Sequence, residues 1–147
     1  YGLDASYALD AWGLSARLQG QSSGDSLYSG EQFGLGGVGS VRGLRDREIS
    51  GNRGYTLTLE ALGPQLAESL RPVLFFDAGS VRGLATGLGS GDNASSIGVG
   101  VRWNWDRRLD VSADLAYVLN GIESQPGGIT GTSAGDTKLN FSLFYRF

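Results

Sequence analysis

The sequence contains no cysteine and no histidine, and these two absences exclude several kinds of chemistry. Without cysteine there is no disulfide framework, and without either residue a zinc site lacks its usual ligands. A Ser/His/Asp triad is excluded because it needs an imidazole. We therefore expect no metal site, no small-molecule cofactor and no enzymatic activity.

Positive charge and long apolar runs are also scarce. Lys and Arg number 12 against 15 Asp and Glu, giving a net charge of −3, so no overall basic field attracts nucleic acid. No apolar run approaches the ~20 residues that a transmembrane helix needs. The chain begins at Tyr1 and contains no Met, from which we expect a piece of a longer protein whose signal peptide lies outside it.

Glycine and alternating apolar residues are what the sequence has in excess. Gly accounts for 25 of the 147 residues, about 17 % against a usual level of about 7 %. Apolar side chains recur at every second position, which is the period of a β-strand with two different faces. The alternating segments are 1–8, 12–19, 55–61, 74–79, 95–106, 109–119 and 138–147. They predict about seven strands.

Short and long connections join the predicted strands in turn. The short ones lie near 9–11, 63–71 and 106–108, and the long ones, rich in Gly, Ser, Asn and Asp, span 21–54, 82–94 and 120–135. Short turns at one end of the strands and long loops at the other are typical of an outer-membrane β-barrel. A soluble antiparallel sandwich shows the same alternation but gives no reason for the asymmetry.

Aromatic residues lie near both ends of the predicted strands, on the apolar face. Those near the short turns are Tyr7, Trp12, Trp103, Trp105, Tyr145 and Phe147, and those near the opposite end are Tyr55 and Tyr117. Two such bands match the aromatic girdles of a membrane barrel, although tryptophans also occur at strand ends of ordinary sheets. In a barrel the opposite face would line a water-filled lumen with Arg17, Glu60, Asp77, Arg102, Asp114 and Lys138.

These patterns together predict an all-β fold: an antiparallel transmembrane β-barrel segment that occupies residues 1–147. The first and last predicted strands run in the same direction, and single-chain bacterial barrels have even strand numbers. We therefore expect the C-terminal part of a larger barrel. Closure of this chain on itself would need an eighth strand, for which Gln32–Val41 is the candidate.

Two stretches carry unusual residues. The first long connection holds the glycine-rich run Phe33–Leu44 (FGLGGVGSVRGL), which has neither the lysine signature nor the following helix of a nucleotide-binding loop. The second stretch, FFDAG, places Asp77 in an apolar strand, where a carboxylate is costly unless water or a cation meets it. Arg42 is the candidate cation, because guanidinium binds carboxylate with two bonds. The alternative is that Arg42 and Asp77 are both merely solvated.

Both stretches resemble those of a known family. The run Phe33–Leu44, followed by Ser50–Tyr55 (SGNRGY) and Glu60, is similar to the sixth-loop region of the two-partner-secretion transporters, the haemolysin-activator and haemagglutinin-exporter family. Phe75-x-Asp77-x-Gly79 resembles the F-x-D-x-G strand motif of that family. The resemblance covers most of the chain and implies a barrel of about 16 strands, preceded by periplasmic receptor domains.

The resemblance also implies which residues matter. The loop motif corresponds to Val41, Arg42, Gly43 and Leu44, and the strand motif to Phe75, Asp77 and Gly79. In the family the long loop, here about 21–54, folds into the lumen and its Arg is salt-bridged to the motif Asp, which pairs Arg42 with Asp77. Leu44 departs from the usual aromatic residue. Phe147, the last residue of an alternating strand, resembles a C-terminal membrane-insertion signal.

The expected function follows from the resemblance. It implies a transporter in the outer membrane of a Gram-negative bacterium that exports an unfolded partner polypeptide from the periplasm to the cell surface. The expected partners are that secreted polypeptide, the lipid bilayer and the barrel-assembly machinery during insertion, with no nucleic acid. The alternative is a barrel-assembly insertase of the same superfamily, which shares the loop Arg motif.

Overall fold

The computed structural model describes residues 1–83, 92–105, 108–122 and 130–146, and this part of the chain contains strands and no α-helix. The strands are β1 (Gly2–Leu9), β2 (Trp12–Ser22), β3 (Phe33–Leu35), β4 (Ile49–Gly51), β5 (Arg53–Leu62), β6 (Leu70–Arg82), β7 (Asp92–Trp105), β8 (Leu109–Asn120) and β9 (Thr137–Tyr145). Within the described ranges no helix has the length and apolar character needed to cross a bilayer.

Seven of these strands form one antiparallel sheet in the order β1-β2-β5-β6-β7-β8-β9. Each segment that alternates in the sequence is one of these strands, so the predicted all-β class and strand number are confirmed. The main difference is β6, which begins at Leu70 rather than Leu74 and continues through Pro72. Pro72 lacks an N–H donor, but its carbonyl accepts a hydrogen bond from the Gly63 N–H, 2.8 Å away.

Alternation gives the sheet an apolar and a polar face. Leu74 and Val99 are directly paired, as are Val99 and Leu115, and these side chains stay about half exposed. At the short-turn edge of the same face, Trp103 and Trp105 stack with ring centroids 5.3 Å apart. The sheet therefore has one broad face of apolar side chains with nothing in the described chain packed on it.

The candidate eighth strand does not join this sheet. Only Phe33–Leu35 of Gln32–Val41 is extended, and it pairs with Ile49–Gly51 in a separate two-stranded ribbon. Among the described strands, β1 and β9 are the two edges of the sheet and are not paired with each other. The described chain is therefore an open section of barrel wall.

Residues 23–52, here called the inner loop, connect β2 to β5 and fold back across the polar face. A small apolar core joins the inner loop to strands β6 and β7 and to the segment after β8; it consists of Leu35, Val41, Leu44, Ile49, Val81, Ala94 and Ile122. Because the inner loop covers this region, Asp77 and Asp114 are buried. Alternation alone predicts that the whole polar face meets water. In the structure the inner loop covers part of that face.

Candidate functional site

The glycine-rich part of the inner loop forms a compact turn. Gly36 and Gly37 have φ angles of +116° and +94°, in the region that side chains disfavour. A Cβ at Gly36 would also lie 2.2 Å from the Arg45 carbonyl oxygen. The Ser40 hydroxyl accepts a hydrogen bond from the Gly36 N–H at 3.2 Å, and the Gly37 N–H donates to the Val41 carbonyl at 3.2 Å. The turn directs Arg42 toward the sheet.

Arg42 and Asp77 lie in direct contact. Arg42 Nε and Nη2 donate to the two Asp77 carboxylate oxygens at 2.8 Å each, and the Arg42 backbone N–H donates to Oδ2 at 3.2 Å. The Arg42 side chain is 3 % exposed and the Asp77 side chain 0 %. A charged pair at this depth is tolerable only when both groups are hydrogen-bonded, and this geometry supplies the fork-to-carboxylate match.

Further charged groups extend the pair into a network, here called the ion cluster: Arg42, Glu60, Asp77, Arg102 and Asp114. Arg42 Nη1 lies 2.6 Å from Glu60 Oε1 and 3.6 Å from Asp114 Oδ2. Arg102 contacts the same two acids, at 2.6 Å for Asp114 Oδ1 and 3.7 Å for Glu60 Oε1. Strands β5, β6, β7 and β8 thereby each contribute one charged side chain to the ion cluster.

Arg42 remains charged in this setting. Burial alone would lower its pKa, but the hydrogen bonds and charge attraction from Asp77 and Glu60 outweigh burial and raise the pKa above its ordinary value. The guanidinium carbon also lies 3.6 Å from the centre of the Phe75 ring, a cation–π contact. The Phe75 ring therefore packs against the Arg42 guanidinium on the sheet side.

Gly43 and Leu44, the two residues after Arg42, pack closely against the sheet and the apolar core. A Cβ at Gly43 would lie 2.6 Å from Val118 Cγ2 and 3.1 Å from Ser96 Cβ, so only glycine lets the backbone approach the sheet this closely. Leu44 is fully buried in the apolar core described above. An aliphatic side chain therefore packs at the position where the resemblance implies an aromatic one.

The strand-motif residues Phe75 and Gly79 are fixed by close packing. A Cβ on Gly98 of the neighbouring strand would lie 2.2 Å from Phe75 Cζ, so the ring occupies the space that Gly98 leaves free. Likewise, a Cβ at Gly79 would lie 2.3 Å from Leu35 Cδ1 of the inner loop. Glycine at these positions lets side chains lie flat against the sheet.

A second set of contacts holds the far side of the inner loop. Lys138 Nζ donates to the Leu44 carbonyl at 2.6 Å, and Asn140 Nδ2 donates to the Arg42 carbonyl at 3.1 Å. Glu48 accepts from the Thr132 N–H and the Thr132 hydroxyl, each at 2.6 Å. The inner loop is therefore tied both to the strands and to the connection between β8 and β9.

The structure locates the other predicted site residues as well. Trp12, Trp103, Trp105 and Tyr145 lie at the short-turn ends of β2, β7 and β9. Phe147, the predicted insertion signal, lies outside the described residues.

Sequence reasoning placed Glu60, Arg102 and Asp114 on the polar face but missed their contacts with one another and with Arg42. The strand register sets their relative positions, since Glu60 pairs with Phe75, Phe75 with Gly98, and Asp114 with Gly100, two residues from both Gly98 and Arg102.

Comparison with known proteins identifies the family. Residues 3–103 match the model of the haemolysin secretion/activation protein family ShlB/FhaC/HecB. This chain belongs to that family. Members of the ShlB/FhaC/HecB family are two-partner-secretion transporters of the outer membrane of Gram-negative bacteria, so the predicted family and location are confirmed.

Two individual proteins show similarity to this ShlB/FhaC/HecB chain. The outer membrane transporter CdiB of Dickeya dadantii (strain 3937) is 57 % identical over 37 residues, which is 25 % of this chain and 7 % of the relative. The solved structure of CdiB from Acinetobacter baumannii superposes with a TM-score of 0.71 at 21 % identity, covering 98 % of this chain and 26 % of that one. The chain thus has the fold of about a quarter of a CdiB structure.

Proposed function

We propose that this chain forms the C-terminal part of a barrel that exports an unfolded partner polypeptide to the cell surface, and that the inner loop occupies the lumen as an anchored plug. The family match supports polypeptide export rather than barrel assembly. In this proposal the apolar face meets the lipid bilayer, with Trp12, Trp103, Trp105 and Tyr145 at its interface, and the barrel-assembly machinery inserts the protein.

The observation that carries the proposal is the buried contact of Arg42 with Asp77, to which the partly exposed Glu60 adds a second carboxylate. A loop of this length on a water-filled face has many conformations open to it, so holding it needs a strong contact shielded from solvent. The Arg42 side chain supplies one through charged hydrogen bonds to two strands. A loop held at this depth blocks passage, and export then requires that it move.

Replacement of Arg42 tests the proposal. Arg42→Ala leaves Asp77 buried without its cation, which costs about 3–5 kcal/mol unless the loop moves and lets water reach the carboxylate. We expect cells with this variant to insert the barrel normally but to export much less partner polypeptide. Export is measured as partner in the medium, and insertion as heat-modifiable mobility of the barrel in gels.

Arg17→Ala serves as the matched control, because Arg17 lies on the same face but pairs with Asp4 at an exposed site. Such exposed pairs contribute about 0–1 kcal/mol, so this variant should export normally. Normal export by Arg42→Ala with normal insertion would remove the role assigned to the anchor.

A further inference from the structure

We infer that Arg102 is a positioning residue that eases release of the inner loop, by keeping the carboxylates of the ion cluster compensated when Arg42 leaves. The inference rests on the proposed export function, in which the inner loop must move.

The two arginines of the ion cluster share their partners. Asp114 makes two short contacts to Arg102, at 2.6 and 3.1 Å, and one longer contact to Arg42 at 3.6 Å. Glu60 has the opposite preference, at 2.6 Å from Arg42 and 3.7 Å from Arg102. Glu60 Oε1 is the atom that both guanidinium groups approach. A small movement of either partner would let Arg102 take the place of Arg42 on Glu60.

The two arginines of the ion cluster lie on different elements of the chain. Arg42 belongs to the inner loop and leaves with it, whereas Arg102 belongs to β7 and stays with the barrel wall. The Arg102 side chain is 32 % exposed and borders a cavity of about 350 Å³ that also touches Glu60, Asp114 and Val38. Arg102 therefore has room to turn while remaining bound to Asp114.

The charges of the ion cluster determine whether removal of Arg102 favours the seated or the released inner loop. With Arg42 seated, two guanidinium groups share Glu60 and Asp114, and with Arg42 gone, Arg102 is the guanidinium of the ion cluster that remains on these two acids. Without Arg102, Glu60 would have no guanidinium to take the place of Arg42 in the released state, and the seated state would lose the repulsion between the two arginines. Both changes favour the seated loop. Removing Arg102 should therefore hold the inner loop more tightly, whereas removing Arg42 frees it.

Ser96 offers a reporter for loop release. It is fully buried beneath Gly43, and its hydroxyl has no hydrogen-bond partner among the described residues. Ser96→Cys therefore replaces one small side chain by another without breaking a hydrogen bond, and this chain has no other cysteine. The thiol becomes reactive when the inner loop lifts, so its labelling rate by a water-soluble maleimide measures release. The full-length protein without Ser96→Cys gives the background.

In full-length protein carrying Ser96→Cys, we expect Arg102→Gln to slow labelling by roughly tenfold, as for loss of one partly shielded charge. Arg102→Lys, which keeps the charge, should restore most of the rate. Arg17→Gln removes the same charge from the exposed pair with Asp4 and should change the rate little. Heat-modifiable mobility of the barrel in gels checks that the variants are folded alike.

The outcomes separate the inference from the proposed function. Unchanged or faster labelling in Arg102→Gln overturns the inference, because Arg102 would then be neutral or would help to hold the loop. Labelling that is no faster in Arg42→Ala than in the unsubstituted reporter protein overturns the anchor itself, whatever Arg102 does. Slower labelling with unchanged export supports Arg102 as a release residue and contradicts the requirement that the loop move for export.

Discussion

At the scale of single residues, Gly43 shows how much the site depends on the absence of a side chain. A methyl group at this position would meet Val118 Cγ2 at 2.6 Å and Ser96 Cβ at 3.1 Å. Both belong to strands of the sheet, so neither can move far. The neighbouring Arg42 reaches Asp77 only because the backbone at Gly43 lies against the barrel wall.

We therefore expect Gly43→Ala to weaken seating of the inner loop by about 1–3 kcal/mol, the usual cost of overpacking. Hydrogen exchange of residues 33–51 in detergent micelles measures the effect as faster exchange. Gly39→Ala is the matched control, because a Cβ at Gly39 would meet nothing within 4 Å.

A compensating change sharpens this test of Gly43. Val118→Ala removes the methyl group that the new side chain would meet, so the Gly43→Ala, Val118→Ala double variant should recover part of the protection. If Gly43→Ala exchanges no faster than Gly39→Ala, the close approach is not what seats the loop.

The motif residues Arg42, Gly43 and Asp77 could be predicted mainly from the resemblance to a known family, and less from the alternation of apolar and polar residues. Alternation places Asp77 on the polar face because period two fixes the face of each residue. It leaves register open, since a slip of two residues keeps every side chain on the same face. The contacts among Arg42, Glu60 and Asp114 depend on register and on the path of the inner loop, so alternation could not predict them.

At the scale of elements, the inner loop is held from two sides. One side is the ion cluster on the strands, and the other is Glu48, whose carboxylate accepts two hydrogen bonds from Thr132 and one from the Arg45 N–H at 2.9 Å. Thr132 lies in the long connection between β8 and β9. The Glu48 carboxylate therefore links the inner loop directly to Thr132 of that connection.

Glu48→Gln should loosen this second attachment. Hydrogen bonds to a charged group contribute about 1.5–3 kcal/mol each, and a neutral amide with one oxygen cannot accept both Thr132 donors equally well. We expect faster hydrogen exchange at the Thr132 amide, with little change in the strands. Thr132→Val should give a smaller effect, since it removes the hydroxyl and keeps the N–H.

The combined Glu48→Gln, Thr132→Val variant completes a double-mutant cycle, which should give a coupling of about 0.5–3 kcal/mol. Glu31→Gln, an exposed acid of the same loop, is the control. Additive effects of the two changes would contradict a direct link.

The sequence predicts the short ribbon of β3 and β4 only in part: β3 lies inside the candidate strand Gln32–Val41, but the sequence does not predict its pairing with β4. Each strand has three residues, too few for a period-two pattern to stand out, and the surrounding glycines suggest a loop. The seven long strands could be predicted because each must present one apolar and one polar face over about ten residues. The destination of a glycine-rich connection has no such periodic signal.

At the scale of the whole molecule, the proposed function assigns an environment to the apolar face. Side chains such as Val99 and Leu9 are 53 % and 51 % exposed in this chain, which would be an aggregation hazard in water. In the proposed barrel they face lipid, where the cost of a charge would depend on depth rather than on exposure. Two residues of equal exposure at different depths can therefore test the orientation of the sheet.

Val99 lies near the middle of β7, and Leu9 is the last residue of β1, at the short-turn edge. Val99→Arg should destabilise the folded barrel by about 2–4 kcal/mol, and Leu9→Arg by only about 0–1 kcal/mol. Reversible unfolding by guanidinium in lipid vesicles measures both values. Equal costs at the two positions would mean that exposure rather than membrane depth governs this face, and the assignment of these residues to the lipid side would be wrong.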